Sequence, residues 1–239
     1  MAVRRDWQAN MATAKAIIFD VDGTLLDWDA SIHNALVRLE AEFPALLGEQ
    51  LFRDFLLALR DYTFVMRDRL VVDRRYWMLF IDPLPPWRVT LPDANAETVN
   101  AIAQRFRSLL RPVRYGDVLR ALTALKDGHA LAVLSNSPRV EGVVEELEIR
   151  HFFDAVIAAP EEYRKPDPRA FLGACSAVGT KAEECVYVGD SLLNDIEGAF
   201  VAGLVPVGID RYGDNYPLPG GVKRVTALED LPPLLASGR

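Results

Sequence analysis

Five short runs of apolar residues limit what this chain can fold into more than any other feature. They are Ala16–Phe19, Leu131–Leu134, Ala155–Ala158, Cys185–Val188 and Val205–Ile209, the last interrupted by Pro206 and Gly208. Each is apolar at successive positions, so both faces of an extended segment must be covered, as in a parallel sheet flanked by helices. Helical patterns lie between them. Val118, Leu119, Leu122 and Leu125 share one face. Ser137-Pro138 reads as a helix start running towards Ile149, and Asp167-Pro168 repeats the device, with Gly179 closing the second helix. A further helix begins near Asn194 and is closed by Gly203. Strand and helix in alternation predict an α/β fold, a doubly wound parallel sheet of the Rossmann-like kind.

One region breaks the alternation. From about Trp28 to Arg111 the pattern is nearly all helical. Phe52, Phe55, Leu56, Leu59, Tyr62, Met66 and Leu70 keep a helical period. The segment from Asp82 to Trp87 reads as a stiff break, and Asn95 to Leu110 as helix again. The expected organisation is an N-terminal tail over 1–14, a first core segment over 15–27, a helical cap over 28–111 and a second core segment over 112–239.

The bulk properties bound the function. A formal charge of −7 argues against a general nucleic-acid surface. No apolar run approaches the roughly 20 residues a membrane crossing needs, and the basic N-terminus lacks the apolar stretch of a secretory signal. With only two cysteines, Cys175 and Cys185, both read as buried thiols, the expected location is cytoplasmic.

Ligands of open α/β sheets bind at the carboxyl ends of the strands, and polar residues collect there. Asp20 and Asp22 follow the first run, Ser135 and Asn136 the second, Lys165 lies in the loop beyond the third, and Asp190 and Asp195 follow the fourth. Converging carboxylates repel one another by up to roughly 4 kcal/mol per close pair. They need either protons or a cation, and Mg²⁺ suits carboxylates with a substrate phosphate. Lysine and hydroxyl or amide donors complete a phosphate cradle.

The residues Asp20-Val-Asp-Gly-Thr, Ser135-Asn136, Arg164-Lys165-Pro-Asp-Pro and Gly189-Asp190-Ser-Leu-Leu-Asn-Asp195 resemble the four motifs of the haloacid dehalogenase-like hydrolases, in that family's order. A helical insert directly after the first motif resembles the subgroup with a C1-type cap. The resemblance implies a Mg²⁺-dependent phosphatase that hydrolyses a small phosphate monoester, a phosphorylated metabolite, through an aspartyl phosphate. It assigns Asp20 as nucleophile and Asp22 as the acid that protonates the leaving alcohol and then activates water. Asp20, the main-chain carbonyl of Asp22, and Asp190 would hold Mg²⁺. Asp195 would support the metal's waters or Lys165, while Ser135, Asn136 and Lys165 would bind phosphate. Residues two apart in an extended chain point to one side, so Asp20 and Asp22 can address one phosphate. Trp28 departs from the small hydroxyl residue common in the family after the aspartate at 27, and it lies where it would line the mouth of the site.

Other readings remain open at this point. A phosphomutase uses the same four motifs. A 2-haloacid dehalogenase shares the nucleophile, although resembling members lack the aspartate at 22. A non-catalytic phosphate-binding module has no use for a general acid. Arg53, Arg60, Arg67 and Arg74, spaced by seven, read as a solvated helix face, with anion recognition the sharper alternative. Neither the substrate nor the oligomeric state is legible.

Overall fold

In the computed structural model, which describes residues 7–44, 47–48, 53–59 and 84–236, the five apolar runs are strands of one parallel sheet. These are β1 (Ala16–Phe19), β2 (Ala130–Ser135), β3 (Ala155–Ala158), β4 (Cys185–Gly189) and β5 (Val205–Ile209), joined by a short β6 (Lys223–Val225). The order is β3-β2-β1-β4-β5-β6, with every neighbouring pair parallel. The sheet is open, and the direction of winding reverses between β1 and β4, the place where α/β sheets open a crevice for ligands. Phe19 at the end of β1 faces Val133 on one side and Val188 on the other. The Asp20 N–H continues the ladder to the Val188 carbonyl at 2.9 Å. The nucleophile candidate is thereby fixed at the rim of the reversal.

The period-two side-chain alternation of β1 builds both layers of the core. Ile17 and Phe19 pack with Val118, Leu122, Val133, Val144 and Val188 on one face. Ala16 and Ile18 pack with Phe171, Ala174, Tyr187 and Ala199 on the other. The helix Pro168–Ala177 has Asp167 as its cap, the side chain accepting from the Arg169 N–H, with Pro168 in its first turn. The helix expected from Ser137 is shorter, Val140–Glu146; Ser137 and Pro138 form the turn before it. Met11, on the helix Trp7–Ala12, is buried in the sheet's first layer, so this part of the N-terminal segment belongs to the core.

The chain divides into two compact units, one of residues 1–28 with 112–239 and the other of residues 29–111. The second has a core of its own. Helices Trp28–Glu42 and Ala96–Leu109 contribute Ala35, Leu36, Leu39, Val99, Ile102 and Phe106, which pack with Phe55 and Trp87. Trp87 stacks on Phe55 with ring centroids 4.1 Å apart. The expectation of a stiff break from Asp82 to Trp87 is corrected over its second half: Leu84–Thr90 is helical. Pro85 and Pro86 occupy its first turn, where the N–H groups that proline lacks would have no partner in the helix. The periodic stretch from Phe52 to Leu70 is helical over 53–59. The rest of it, with Arg60 and Arg67, lies outside the described residues, as does Arg74.

The chain leaves the first unit and returns to it at adjacent points. Leu26 and Arg114 form an antiparallel bridge, and the Asp27 N–H donates to the Val113 carbonyl at 2.7 Å. Among the described residues no helix is long and apolar enough to cross a membrane.

Candidate active site

The site lies at the carboxyl ends of β1, β2 and β4, all within the first unit. Its centre is Lys165, 6% exposed. The Lys165 Nζ donates to Asp20 Oδ1 at 2.6 Å, to Asp195 Oδ1 at 2.7 Å and to the Tyr187 hydroxyl at 2.9 Å. These three acceptors use all three protons of an ammonium group. Asp20 is 5% exposed and Asp195 1%, so the ion pairs are shielded from water. The Tyr187 hydroxyl donates in turn to Asp195 Oδ1, 3.0 Å away. Asp195 Oδ2 accepts from the Ser191 N–H at 2.9 Å. Asp195 sits in a π-helical turn, Leu192–Glu197, with two residues between it and the end of β4.

The Asn136 side chain is turned to the backbone of Lys165. Its Nδ2 donates to the Lys165 carbonyl at 3.0 Å, and its Oδ1 accepts from the Lys165 N–H at 2.8 Å. Both ends of the amide thus clamp the lysine's backbone. Ser135, 1% exposed, accepts from the Ser137 N–H at 3.0 Å, which leaves its hydroxyl proton to donate. Asp22 stands apart from the lysine network; its Oδ1 accepts from the Trp28 indole N–H at 2.8 Å.

Asp20, Asp190 and Asp195 each offer a carboxylate oxygen, and the three oxygens lie within 4.8 Å of one another. Asp190 is the least buried of the three. Burial drives the Asp20 carboxyl well above its ordinary range; the Lys165 charge opposes this, while Asp195, Asp190 and Asp22 add to it. Asp22 is raised by burial, against the Trp28 hydrogen bond. For Lys165, burial works against the charge, but Asp195 and Asp20 outweigh it and hold the ammonium protonated far into the alkaline range. The carboxylate excess thus exceeds what one lysine compensates.

Hard oxygen donors in excess negative charge fit a divalent cation of the Mg²⁺ type. The backbone is shaped to the same end. Gly23, at φ +78°, is close enough to Asp190 that a Cβ there would lie 2.8 Å from its Cγ and closer still to Oδ2. A Cβ at Gly189 would lie 2.6 Å from the Asp195 Oδ2. Two glycines therefore admit two of the three carboxylates. Gly23 and Asp190 also border a hollow whose other walls include Ile209, Arg211, Tyr212 and Tyr216.

One participant, Tyr187, and one contact, from Trp28 to Asp22, escaped the sequence reading. Tyr187 was legible only as one residue of an apolar strand, yet a buried phenol needs a polar partner, and a tyrosine within Cys185–Val188 is the signal that pointed to one. The bond from Trp28 to Asp22 spans six residues across a tight turn, a spacing no regular element predicts. In that turn the Val21 carbonyl accepts from the N–H groups of Thr24, Leu25 and Leu26.

The fold and this cluster of Asp20, Lys165, Asp190 and Asp195 define a hydrolase. The sequence pattern of the haloacid dehalogenase-like hydrolases matches residues 14–203, and the chain belongs to that family. Glyceraldehyde 3-phosphate phosphatase of Methanopyrus kandleri is 33% identical over 215 residues, 85% of this chain and 88% of the relative. N-acylneuraminate-9-phosphatase of Homo sapiens is 25% identical over 247 residues, 95% of this chain and 96% of the relative. Among solved structures, the HAD-hydrolase YfnB from Bacillus subtilis bound to magnesium aligns with a TM-score of 0.70 at 19% identity, over 93% of this chain and 98% of that one. At that identity the likeness shows the shared fold.

Proposed function

We propose that the chain is a Mg²⁺-dependent phosphatase for a small phosphate monoester. The observation that carries this reading is Lys165, held between Asp20 and Asp195 with Asp190 within reach of both. A carboxylate attacks phosphorus only where its repulsion with the phosphate is screened, and this is the arrangement around Asp20. The relatives named as phosphatases support the same class.

In this reading an oxygen of Asp20 attacks the phosphorus. The bond from phosphorus to the ester oxygen breaks, and Asp22 gives its proton to the departing alcohol. Lys165 steadies Asp20 and the incoming phosphate, with the Ser135 hydroxyl as a further donor. Asn136 keeps Lys165 in place. Asp22, now ionised, takes a proton from the water that attacks the aspartyl phosphate, which frees inorganic phosphate and restores Asp20. Asp20, Asp190 and the main-chain carbonyl of Asp22 would hold Mg²⁺, with Asp195 behind them. When bound, the ion neutralises charge on the carboxylates and on the phosphoryl oxygens.

The carboxylic acid at Asp22 favours this reading over a dehalogenase, whose halide leaving group needs no proton. The 29–111 unit is assigned as a cap of the C1 type, which selects among substrates. Its exit and return just beyond Asp22, at Asp27 and Val113, support that role.

The test is a panel of phosphate monoesters with and without Mg²⁺, run on the native chain and on Asp20→Asn. Turnover that needs Mg²⁺ and falls at least about a thousandfold in the variant is the expected result. Retention of more than about a hundredth of the native rate would remove Asp20 from the nucleophile's role.

A further inference from the structure

The three protons of Lys165 go to Asp20, Asp195 and Tyr187, and none of them reaches Asp22. A carboxylate with no anchor can occupy several side-chain rotamers, whereas an acid that protonates one particular oxygen must be held to one. The Trp28 indole supplies the hydrogen bond that the described residues give to the Asp22 side chain, 2.8 Å from Nε1 to Oδ1. The tryptophan is itself fixed. It is half-buried against the core layer of Ile17, Phe19 and Val188, and it is the last residue of the first unit. The turn closed on the Val21 carbonyl carries residue 28 back to residue 22.

We propose that Trp28 is a positioning residue for Asp22, selecting which carboxyl oxygen delivers the proton to the leaving alcohol; this rests on the reading of Asp22 as acid and base given above. The argument is one of hydrogen-bond valence. An indole N–H donates and never accepts. The oxygen it faces, Oδ1, is engaged as an acceptor, so the transferable proton resides on Oδ2. The indole has no lone pair with which to draw that proton away. Oδ2 exchanges with the ester oxygen in the first step and with water in the second, and the rotamer stays fixed between the two. A small hydroxyl residue at position 28 would lack this property, because a hydroxyl both donates and accepts.

The experiment separates proton delivery from the rest of catalysis by the choice of leaving group. An aryl ester such as 4-nitrophenyl phosphate expels a stable anion and needs little help from an acid, while an alkyl ester such as 2-phenylethyl phosphate needs the proton. The kcat/KM ratio of the two esters reports the phosphoryl-transfer step. Trp28 is replaced by 3-benzothienylalanine, which keeps the bicyclic shape and puts sulfur in place of the N–H, and separately by Phe. The alkyl-to-aryl ratio is expected to fall at least about tenfold in whichever replacement is folded, and further in Asp22→Asn. Added to Asp22→Asn, the Trp28 replacement should change the ratio no more. An unchanged ratio in a folded Trp28 variant, whether both rates persist or drop together, overturns the proposal while leaving Asp22 as the acid. An unchanged ratio in Asp22→Asn instead overturns the reading of Asp22, and the role of Trp28 goes with it.

Discussion

Burial and the neighbouring carboxylates raise the Asp20 carboxyl, and burial raises Asp22. A carboxyl raised by folding binds its proton more tightly in the native state than in the unfolded chain. That stabilises the fold below the unfolded value, and the contribution is lost as pH rises through the native value. The metal-free protein is therefore expected to lose stability between the ordinary carboxylate range and those raised values, where Asp20 and Asp22 are forced to ionise. Mg²⁺ should restore it. The rise in Tm on adding Mg²⁺ is expected to be larger at about pH 7.5 than at about pH 5; equal rises at both would show that the ion does not meet these carboxylates. Gly23 gives a second residue-scale prediction. Gly23→Ala forces a left-handed backbone on alanine and drives its Cβ into Asp190, so it should cost about 1–3 kcal/mol of stability. Mg²⁺ titration calorimetry should also show weaker binding than in the native chain. Asp20 and Asp190 were legible in the sequence because a charged residue at the end of an apolar strand conflicts with its surroundings, whereas Lys165 and Asp195, further along the loops, were legible through the resemblance to the family's motifs. The commitment of Asn136 to the Lys165 backbone was not visible, because it joins residues 29 apart in the chain through a loop whose path no periodicity dictates.

At the scale of elements, the sequence displays β1 to β5 because each is covered on both faces. It hides β6, whose three residues include Lys223 and Arg224 and which pairs only with β5; short, charged edge strands protect a sheet against further pairing and look like loop. The helix Leu84–Thr90 was hidden by its own prolines. Its position is confirmed by what it carries, since Trp87 is fully buried and meets Phe106 edge-on at 6.0 Å as well as stacking on Phe55. The second unit thus depends on an aromatic cluster drawn from three separate segments. Trp87→Ala should remove about 3–5 kcal/mol from the stability of that unit, seen as a lower urea midpoint in its unfolding transition. A loss under about 1 kcal/mol would show that the cluster contributes little to holding the helices together.

At the scale of the whole molecule, the two units have separate cores and share two chain crossings. Replacing 29–111 with a short Gly/Ser linker, keeping Trp28, should leave the sheet folded and slow hydrolysis of an aryl phosphate intact. Discrimination among metabolite phosphates should be lost. A folded variant that keeps the native substrate ranking would place specificity in the core loops and overturn the assignment of the insert as a cap. The crossings at Leu26–Arg114 and Asp27–Val113 also bear on how the chain finds this fold. β1 must pair with β2 in a register that sets Ala16 beside Ala130, across a span that the insert dominates. Left as open chain, that span raises the entropic barrier to β1–β2 closure by about 1 kcal/mol over the linker variant. An insert that condenses first on its own core brings residues 27 and 113 together and removes most of the difference. On this argument the inserted helices are expected to form ahead of the sheet that carries them.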